Sequence, residues 1–343
     1  MSEKSLNLPD KIIDTYQGKT ILISGACGFI GSSLSKSLMN LDCSLILLDH
    51  SNNLSWIPQH RRAEIAIIQG DVSLRETWES ALPGVDYLFH LAAMEYNRAE
   101  FNIMQDLQIN TISIIHLLEV CRKNHFNRQI IFSSSANLFG QVNSLPVNEN
   151  QPSNPITSWS VHKLMAEYYF NVYALKYGIN SSILRLANVY GPTENRKAMN
   201  NVVINSMISK AIRDNSLKLY RNRYCIRDFI YIGDVVMAFL YAGANEKSSL
   251  HSNLFVVGSG EGNSFAEIWR IIAEKVKGYT GKEVYIVCDD SVEIEPFDMR
   301  NFIADTTLFH NVTGWQPSIF LDEGITLTIN ALLSSKDEEN IAN

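Results

Sequence analysis

The chain has 343 residues and an apolar content of 46%, enough to bury the core of one large domain or two small ones. Its formal net charge is −7, and acidic and basic residues are interspersed, which argues against a surface for nucleic acid or for an anionic membrane. Its five cysteines are scattered and form no CxxC pair, which predicts reduced thiols rather than a disulfide framework or a metal site. These cysteines are Cys27, Cys43, Cys121, Cys225 and Cys288.

The N-terminal segment shows no targeting signal. Residues 1–19 lack the apolar centre of a signal peptide, and no apolar run approaches the roughly 18 residues of a membrane-spanning helix. We therefore expect a soluble, cytoplasmic protein with no membrane partner.

Two hydrophobic periods alternate in the first half of the chain. Short apolar runs rich in branched residues predict buried parallel strands at 20–25, 44–49, 64–71, 87–93, 129–135 and 181–188. Between these runs, apolar residues recur at helical spacing, as do Ile109, Ile112, Leu117 and Val120. The repeated order of strand and helix predicts an α/β fold of the Rossmann type, with a doubly wound parallel sheet.

The alternation loosens after residue 188. Strand-like runs return in "RDFIYIGD" and "NLFVVGSG", and Ser264 is placed to cap a helix that begins in "GNSFAEIWRIIAEKV". We expect this half to supply a smaller C-terminal substrate lobe, followed by a frayed polar tail from about residue 334.

A glycine motif lies between the first predicted strand and the first predicted helix. Gly25, Gly28 and Gly31 permit a tight turn, so that a pyrophosphate can approach backbone N–H groups at the helix N-terminus. Asp49 ends the next strand, where a carboxylate accepts hydrogen bonds from a ribose and repels a 2′-phosphate. This combination predicts NAD rather than NADP. The alternative is that the glycines serve packing only; Asp71 suits an adenine contact or an ordinary turn.

Motifs in a characteristic order extend this pattern along the chain. They are "GACGFIGSSL", "GDV", "FHLAA", "IIFSSSANLFG", "HKLMAE", "LRLANVYGP", "RDFIYIGDV", "VGSGEG" and "ADTTLFHNVTGWQP". From about residue 19 to 324 the chain resembles the extended short-chain dehydrogenases/reductases that act on nucleotide sugars, the family of UDP-galactose 4-epimerase. The resemblance implies NAD as cofactor, a nucleoside-diphosphate sugar as substrate and a homodimer. The dimer would be built from the helices around 109–120 and 163–173.

The resemblance also implies a domain division and cofactor contacts. Residues 1–18 form an N-terminal extension, residues 19–187 with 229–258 the NAD-binding domain, residues 188–228 with 259–334 the nucleotide-sugar lobe, and 335–343 a polar tail. The implied cofactor-binding residues are Gly25, Gly28, Phe29, Ile30, Gly31, Asp49, Asp71, Val72, Leu91, Ala92, Ala93 and Lys163.

The implied active centre has one departure from the family pattern. Ser135, with Ser134 beside it, matches the residue that hydrogen-bonds the reacting sugar oxygen, and Lys163 matches the family lysine. Trp159 stands where the family has a catalytic tyrosine, and an indole cannot act as a base. The better substitutes follow predicted strands: Glu95 and Tyr96, which are the catalytic candidates, and Tyr190, which more often would be a packing residue.

The resemblance assigns a second set of residues to the substrate. Trp159, Asn188, Asn200, Asn201, Val202, Tyr220, Arg227 and Arg300 are the implied substrate-binding residues. Where the family usually has Arg-Pro-Gly-Asp, the chain has Glu295-Pro296-Phe297-Asp298, so one phosphate-binding arginine is missing. Arg221, Arg223 or Arg300 would replace it, since a guanidinium pairs well with phosphate.

The segment after Ser135 discriminates between reactions. Related 4,6-dehydratases and decarboxylases carry an acidic residue there, whereas residues 135–140 read Ser-Ala-Asn-Leu-Phe-Gly. We therefore predict an NAD-dependent 4-epimerase with a non-standard proton-transfer residue. A C4 dehydrogenase, a 4-ketoreductase and an inactive binding protein are the alternatives.

Overall fold

A computed structural model describes residues 8–51, 54–193, 202–245 and 253–341. Its strands are β1 (Thr20–Ser24), β2 (Ser44–Asp49), β3 (Glu64–Gln69), β4 (Tyr87–His90), β5 (Gln129–Ser135), β6 (Ser181–Leu186), β7 (Asn188–Tyr190), β8 (Ser216–Leu219), β9 (Ile226–Arg227), β10 (Phe229–Tyr231), β11 (Asn253–Val257), β12 (Asn263–Ser264) and β13 (Tyr285–Cys288). Seven of them form a parallel sheet in the order β11-β6-β5-β4-β1-β2-β3. The predicted Rossmann-type architecture is confirmed.

Helices connect the strands. They are α1 (Asp10–Tyr16), α2 (Phe29–Leu38), α3 (Arg75–Ala81), α4 (Tyr96–Ala99), α5 (Ile103–Leu107), α6 (Ser113–Lys123), α7 (Ser158–Tyr177), α8 (Val203–Asp214), α9 (Ile232–Gly243), α10 (Phe265–Thr280), α11 (Thr307–Thr313) and α12 (Leu321–Ile341). A π-helical turn spans Gln108–Ile112, and 3₁₀ turns span Ala136–Phe139 and Pro296–Met299. Among the residues so described, no helix is both long and apolar enough to cross a membrane.

The sheet is buried between two layers of helices. On one face, Leu34 of α2 and Phe239 of α9 belong to the larger apolar core. On the other face, Trp78 of α3, Leu117 of α6 and Phe170 of α7 form a second core. Because the chain leaves the sheet in opposite directions at β1 and β4, a crevice opens at the carboxyl ends of these strands, which is where such sheets bind ligands.

Some local expectations were wrong. The strand β3 is not buried, because it lies at the sheet edge and has a neighbour on one side only; Ile67 is 54% exposed. The π-helical turn shifts the helical register, so that Ile114 is buried and Ile112 only half-buried. The expected frayed tail is helical, since α12 continues to Ile341.

The N-terminal helix α1 packs on the main domain. Its Ile12 and Tyr16 are fully buried in the larger core. The Tyr16 hydroxyl donates a hydrogen bond of 2.8 Å to the Leu240 carbonyl in α9. The segment expected to be a separate extension therefore contributes to the core.

A buried carboxylate holds the second half of the chain together. Asp228 follows β9 and accepts hydrogen bonds from the backbone N–H groups of Ser259, Gly260 and Ala304 at 2.8 to 3.0 Å. Its carbonyl accepts a hydrogen bond from the Asn188 backbone. These bonds place the residues on either side of Asp228 at the mouth of the crevice. Nearby, Ser264 and Glu267 form the capping box of α10, which confirms the predicted cap.

Candidate active site

The glycine turn between β1 and α2 brings a helix N-terminus to the edge of the sheet. Gly25 has a φ of +72°, and a Cβ there would lie 2.6 Å from the Ala92 backbone nitrogen. A Cβ on Gly31 would lie 2.0 Å from the Gly25 carbonyl oxygen, so only glycine fits at either position. Phe29 and Ile30 form the first turn of α2, and Leu91 to Ala93 lie beside the glycine turn. This part of the predicted cofactor set therefore lies around the glycine turn.

Asp49 is fixed against this turn. It is buried at the carboxyl end of β2, and its carboxylate accepts hydrogen bonds of 2.9 Å from the N–H groups of Cys27 and Ser51. Asp71, by contrast, is exposed and accepts a bond from the Ser73 N–H at the start of α3, while Val72 is buried. The position of Asp71 fits an ordinary turn residue.

We expect Asp49→Asn to relax discrimination against NADP, because asparagine keeps an acceptor for the Cys27 N–H but removes the charge that repels a 2′-phosphate. Asp49→Ala should in addition weaken NAD binding by about 10-fold or more, the size of a charge-assisted hydrogen bond. Titration with NAD and NADP measures both, with Asp71→Ala as the control. A preference for NADP in the unmodified protein would contradict the assignment.

The adjacent serines at the end of β5 have different surroundings. Ser135 lines a cavity of about 200 Å³ together with Asn137, Asn188 and Arg300, and its Oγ accepts a hydrogen bond of 3.1 Å from the Asn137 N–H. Ser134 is buried and donates to Glu167, whose carboxylate is bound by both arms of Arg185. Ser134 therefore belongs to a structural ion-pair network, and we withdraw it as a catalytic candidate.

Lys163 is buried near this cavity, one turn of α7 after Trp159. Its Nζ donates a hydrogen bond of 3.0 Å to the Ser133 carbonyl and lies 5.9 Å from the Trp159 ring centroid. Burial lowers the pKa of Lys163 to about 8, although the carboxylates of Asp106 and Glu167 act in the opposite direction. The ammonium group can therefore lose its proton close to neutral pH.

Trp159 is occupied by contacts with the loop after β4. Its indole N–H donates a hydrogen bond of 2.8 Å to the Met94 carbonyl, and its ring meets the Tyr96 ring edge to face at 6.0 Å. The side chain in the tyrosine position is thus fixed by hydrogen bonding and packing.

The suggested substitutes for the phenol lie in other environments. Burial raises the pKa of Tyr96, as does Glu100, to which the Tyr96 hydroxyl donates. Glu95 is exposed and lies 3.5 Å from the Arg98 guanidinium. Tyr190 is fully buried among aromatic rings, and burial raises its pKa as well. None of the three is among the described residues that line the cavity.

Two buried arginines meet on the lobe side of the cavity. Arg227 donates to the carbonyls of Ile226 and Asp298, while Arg300 donates to the Phe297 carbonyl and to the Asn137 side chain. Burial lowers both pKa values, and the neighbouring Arg227 contributes to lowering that of Arg300 to about 9. Within the part of the chain that is described, no carboxylate forms an ion pair with either. The Asp298 carboxylate favours both charges from a distance, so they are only partly compensated and can bind an anionic ligand.

The other predicted lobe residues divide into groups. Arg221 and Arg223 bind the Asp290 carbonyl and carboxylate, respectively, at an exposed turn, so neither is beside Arg227. Asn188 lines the cavity, Tyr220 is half-buried at the end of β8, and Val202 precedes α8. Asn200 and Asn201 lie outside the described residues.

Sequence reasoning missed several contributors to the site. Asn137 connects Ser135 with Arg300, and Phe297 supports the Arg300 guanidinium at 3.8 Å. Asp228 organises the loops around both arginines. Asn137 and Asp228 lie within recognised motifs, whereas nothing in the local sequence indicates the contact of Phe297 with Arg300.

Comparison with known proteins identifies the family. The model of the NAD dependent epimerase/dehydratase family matches residues 21–258. The chain belongs to this family. A putative UDP-glucose 4-epimerase of Methanocaldococcus jannaschii is 30% identical over 312 residues, which cover 90% of this chain and 97% of that protein. A UDP-glucose 4-epimerase of Mycolicibacterium smegmatis is 29% identical over 323 residues, covering 90% and 96%.

A solved structure agrees with these relatives. The UDP-glucose 4-epimerase of Thermotoga maritima, determined with UDP-glucose, matches with a TM-score of 0.78 at 26% identity, covering 92% of this chain and 99% of that one. The NAD-dependent epimerase/dehydratase assignment confirms the predicted fold and cofactor. The residues present fit NAD, because the glycine turn places the N-terminus of α2 beside the fixed carboxylate of Asp49.

The two departures from the family pattern that the sequence resemblance implies lie close together in space. Trp159 contacts Tyr96, and Tyr96 stacks on Phe297, which belongs to the segment that replaces Arg-Pro-Gly-Asp. A change at the expected catalytic tyrosine and a change at the expected phosphate arginine are therefore linked by one aromatic residue.

Proposed function

We propose that the protein is an NAD-dependent nucleotide-sugar oxidoreductase, most simply a 4-epimerase that acts through a transient 4-keto sugar. The observation that carries the proposal is the cavity in which Ser135, Asn188 and a buried Arg300 converge, with no ion pair to Arg300 among the described residues. A small polar cavity with cationic groups at one end suits a sugar that carries a diphosphate. The names of the relatives support the same class, because the M. jannaschii protein is named a putative UDP-glucose 4-epimerase and the T. maritima protein a UDP-glucose 4-epimerase.

The side chains around the cavity have distinct tasks in this proposal. NAD, when bound, takes up and returns the hydride. The Ser135 hydroxyl hydrogen-bonds the reacting sugar oxygen, Lys163 binds the nicotinamide ribose, and Arg227 binds the diphosphate. Such positioning supplies a large part of catalysis. Proton transfer is not a task for the Trp159 indole. Burial lowers the pKa of Lys163 to about 8, so Lys163 is a described group beside Trp159 that can exchange a proton near neutral pH.

The reaction class follows from the segment after β5. The 3₁₀ turn Ala136–Phe139 carries no acidic residue, which favours epimerisation over dehydration or decarboxylation. One-way oxidation or ketone reduction at C4 uses the same groups and is the closest alternative. A binding protein without turnover is the alternative from another class.

A panel of UDP-, dTDP-, GDP- and CDP-sugars tests the proposal. We expect one class to raise the melting temperature, since a ligand at 100 times its Kd stabilises by about 2.7 kcal/mol. The same sugar should yield its C4 epimer in the presence of NAD, detected by NMR of the product. Binding with lasting absorbance of reduced nicotinamide, a 4-keto sugar as product and no epimer would favour the dehydrogenase. Binding without either signal would favour the inactive protein.

We also propose the domain division predicted above. The pairing of β11 with β6 supports assigning 229–258 to the NAD-binding domain together with 19–187. The buried arginines support assigning 188–228 and 259–334 to nucleotide-sugar binding.

The cysteines support a reducing, cytoplasmic compartment. All five lie within the described residues, and none of them is in a disulfide.

An apolar stripe on α7 supports the homodimer. Its members share one helix face at alternating spacings of four and three residues and are 36% to 63% exposed; they are Val161, Met165, Tyr168, Val172 and Leu175. This spacing is that of helices that pair along a common seam. Phe101, Ile103 and Met104, in and just before α5, are also exposed. We propose a second copy of the chain as the partner of this stripe.

Sedimentation is expected to give a dimer for the unmodified protein and a monomer for Met165→Glu with Val172→Glu, because burying two carboxylates in an apolar seam is unfavourable. Ile67→Glu, on the exposed edge strand, is the matched control and should leave the dimer intact. A monomeric unmodified protein would contradict the proposal.

A further inference from the structure

A continuous stack of side chains connects Trp159 with Arg300. The ring centroids of Trp159 and Tyr96 are 6.0 Å apart, with the planes at 82°. The Tyr96 and Phe297 rings stack at 5.4 Å with an angle of 21°. The Arg300 guanidinium then lies 3.8 Å from the centre of the Phe297 ring. The stack thus runs from α7, through α4, to the 3₁₀ turn Pro296–Met299.

Both ends of the stack are fixed by hydrogen bonds. At one end the Trp159 indole binds the Met94 carbonyl at 2.8 Å, which holds the loop before α4. At the other end Arg300 binds the Phe297 carbonyl at 3.2 Å and the Asn137 side chain. In the middle, the Tyr96 hydroxyl is bound to Glu100. Trp159, Tyr96 and Arg300 therefore each hold a polar contact, and the Phe297 ring lies between two of them.

The charge of Arg300 distinguishes this stack from ordinary core packing. Arg185 in β6, another deeply buried arginine, is neutralised by a two-armed contact with Glu167. Arg300 is similarly buried and lies near Arg227, yet its described hydrogen-bond partners are neutral oxygens and its guanidinium lies over the Phe297 ring. The Asp298 carboxylate favours its charge only from a distance, without a described ion pair. A guanidinium over an aromatic face keeps part of its stabilisation while its remaining N–H groups stay available. Arg300 also lines the cavity that contains Ser135.

We propose that Trp159 is a positioning residue for Arg300: through Tyr96 and Phe297 it holds the guanidinium at the substrate cavity, where Arg300 binds the diphosphate of the substrate. The side chain in the tyrosine position thereby serves substrate binding instead of proton transfer. The proposal rests on the proposed function. It also selects Arg300, over Arg221 and Arg223, as the arginine that compensates for Glu295.

Binding of UDP, dTDP, GDP and CDP, each compared with its monophosphate, tests the stack. For the nucleotide that binds, Tyr96→Ala and Trp159→Ala should weaken binding of the diphosphate by about tenfold, which is the size of one cation–π contact. Binding of the monophosphate should be weakened less. Trp159→Phe keeps the ring contact and should restore most of the affinity. In Tyr96→Ala, Trp159→Ala and Trp159→Phe, the affinity for NAD and the melting temperature should change little.

A double-variant cycle with Arg300→Lys tests whether the stack acts through Arg300. The double variant Tyr96→Ala with Arg300→Lys should lose no more affinity for the diphosphate than Arg300→Lys alone. Tyr224→Ala is the matched control, because Tyr224 is an exposed ring that lies 5.6 Å from the Arg223 guanidinium, outside the stack. If the losses of diphosphate affinity in the two single variants add up in the double variant, the positioning role is overturned and the proposed function is not. The same holds if Tyr96→Ala keeps the unmodified protein's preference for diphosphate over monophosphate. Binding of none of the diphosphates by the unmodified protein would overturn the proposed function as well.

Discussion

Lys163→Met is expected to lower turnover by about 10²–10⁴ and to weaken NAD binding. The range is that of general acid–base catalysis, and the loss of NAD affinity follows from the missing ammonium at the ribose. Lys163 is buried, and its one hydrogen bond to the Ser133 carbonyl leaves N–H groups for a ligand. Steady-state kinetics with the sugar that the panel identifies measures the first effect, and an NAD titration measures the second.

The pH dependence separates this role from a structural one. The pKa of Lys163 is lowered from 10.5 to about 8 by burial, so the group is charged below pH 8 and becomes neutral as the pH rises through that value. NAD affinity of the unmodified protein should therefore fall as the pH rises through about 8, and Lys163→Met should lack this transition. Lys176→Met, on the exposed part of the same helix, is the matched control. An unchanged NAD affinity in Lys163→Met would contradict the assignment.

Arg227→Ala is expected to weaken nucleotide-sugar binding by about 2–5 kcal/mol, the range for a buried charged contact, with little effect on NAD. Arg227 is 4% exposed, and its described hydrogen bonds are to backbone carbonyls, so a diphosphate would be the first anion to form a direct contact with its guanidinium. The Asp298 carboxylate acts on it from a distance. Calorimetric titration with the sugar nucleotide and with NAD measures both affinities.

Arg223→Ala provides the matched control, because Arg223 already pairs with the exposed Asp290 carboxylate. It should alter sugar-nucleotide binding by less than about 1 kcal/mol, as expected for a surface ion pair. Equal loss of both ligands in Arg227→Ala would indicate a folding defect in place of a lost phosphate contact.

Local sequence patterns were sufficient for the framework of the site. The strands β1, β2 and β5 follow from short apolar runs, and the glycine turn follows from three glycines placed directly after a strand. Because the carboxyl ends of parallel strands lie on one edge of the sheet, the glycine turn, Asp49 and Ser135 were expected along that same edge. The i to i+4 spacing likewise placed Trp159 and Lys163 on one helix face.

Side-chain partners distant in sequence could not be predicted in this way. Strand alternation indicates that Ser134 and Ser135 point to opposite faces, but only the tertiary structure shows that Glu167 and Arg185 occupy the Ser134 side. The environment of a candidate base also depends on packing. Tyr96 precedes Phe297 by 201 positions, yet their stacking, not their sequence context, restrains the Tyr96 ring.

By itself the sequence therefore determined the Rossmann-type sheet, the NAD-binding turn and the identity of the polar groups at the sheet edge. These depend on hydrophobic period and on backbone geometry, which act over a few residues. Only the tertiary structure decided that Arg300, and not Arg221 or Arg223, lies beside Arg227, and that Trp159 is joined to it by two aromatic rings. Burial and charge compensation depend on every element packed around a group, so they become defined when the lobe folds against the sheet.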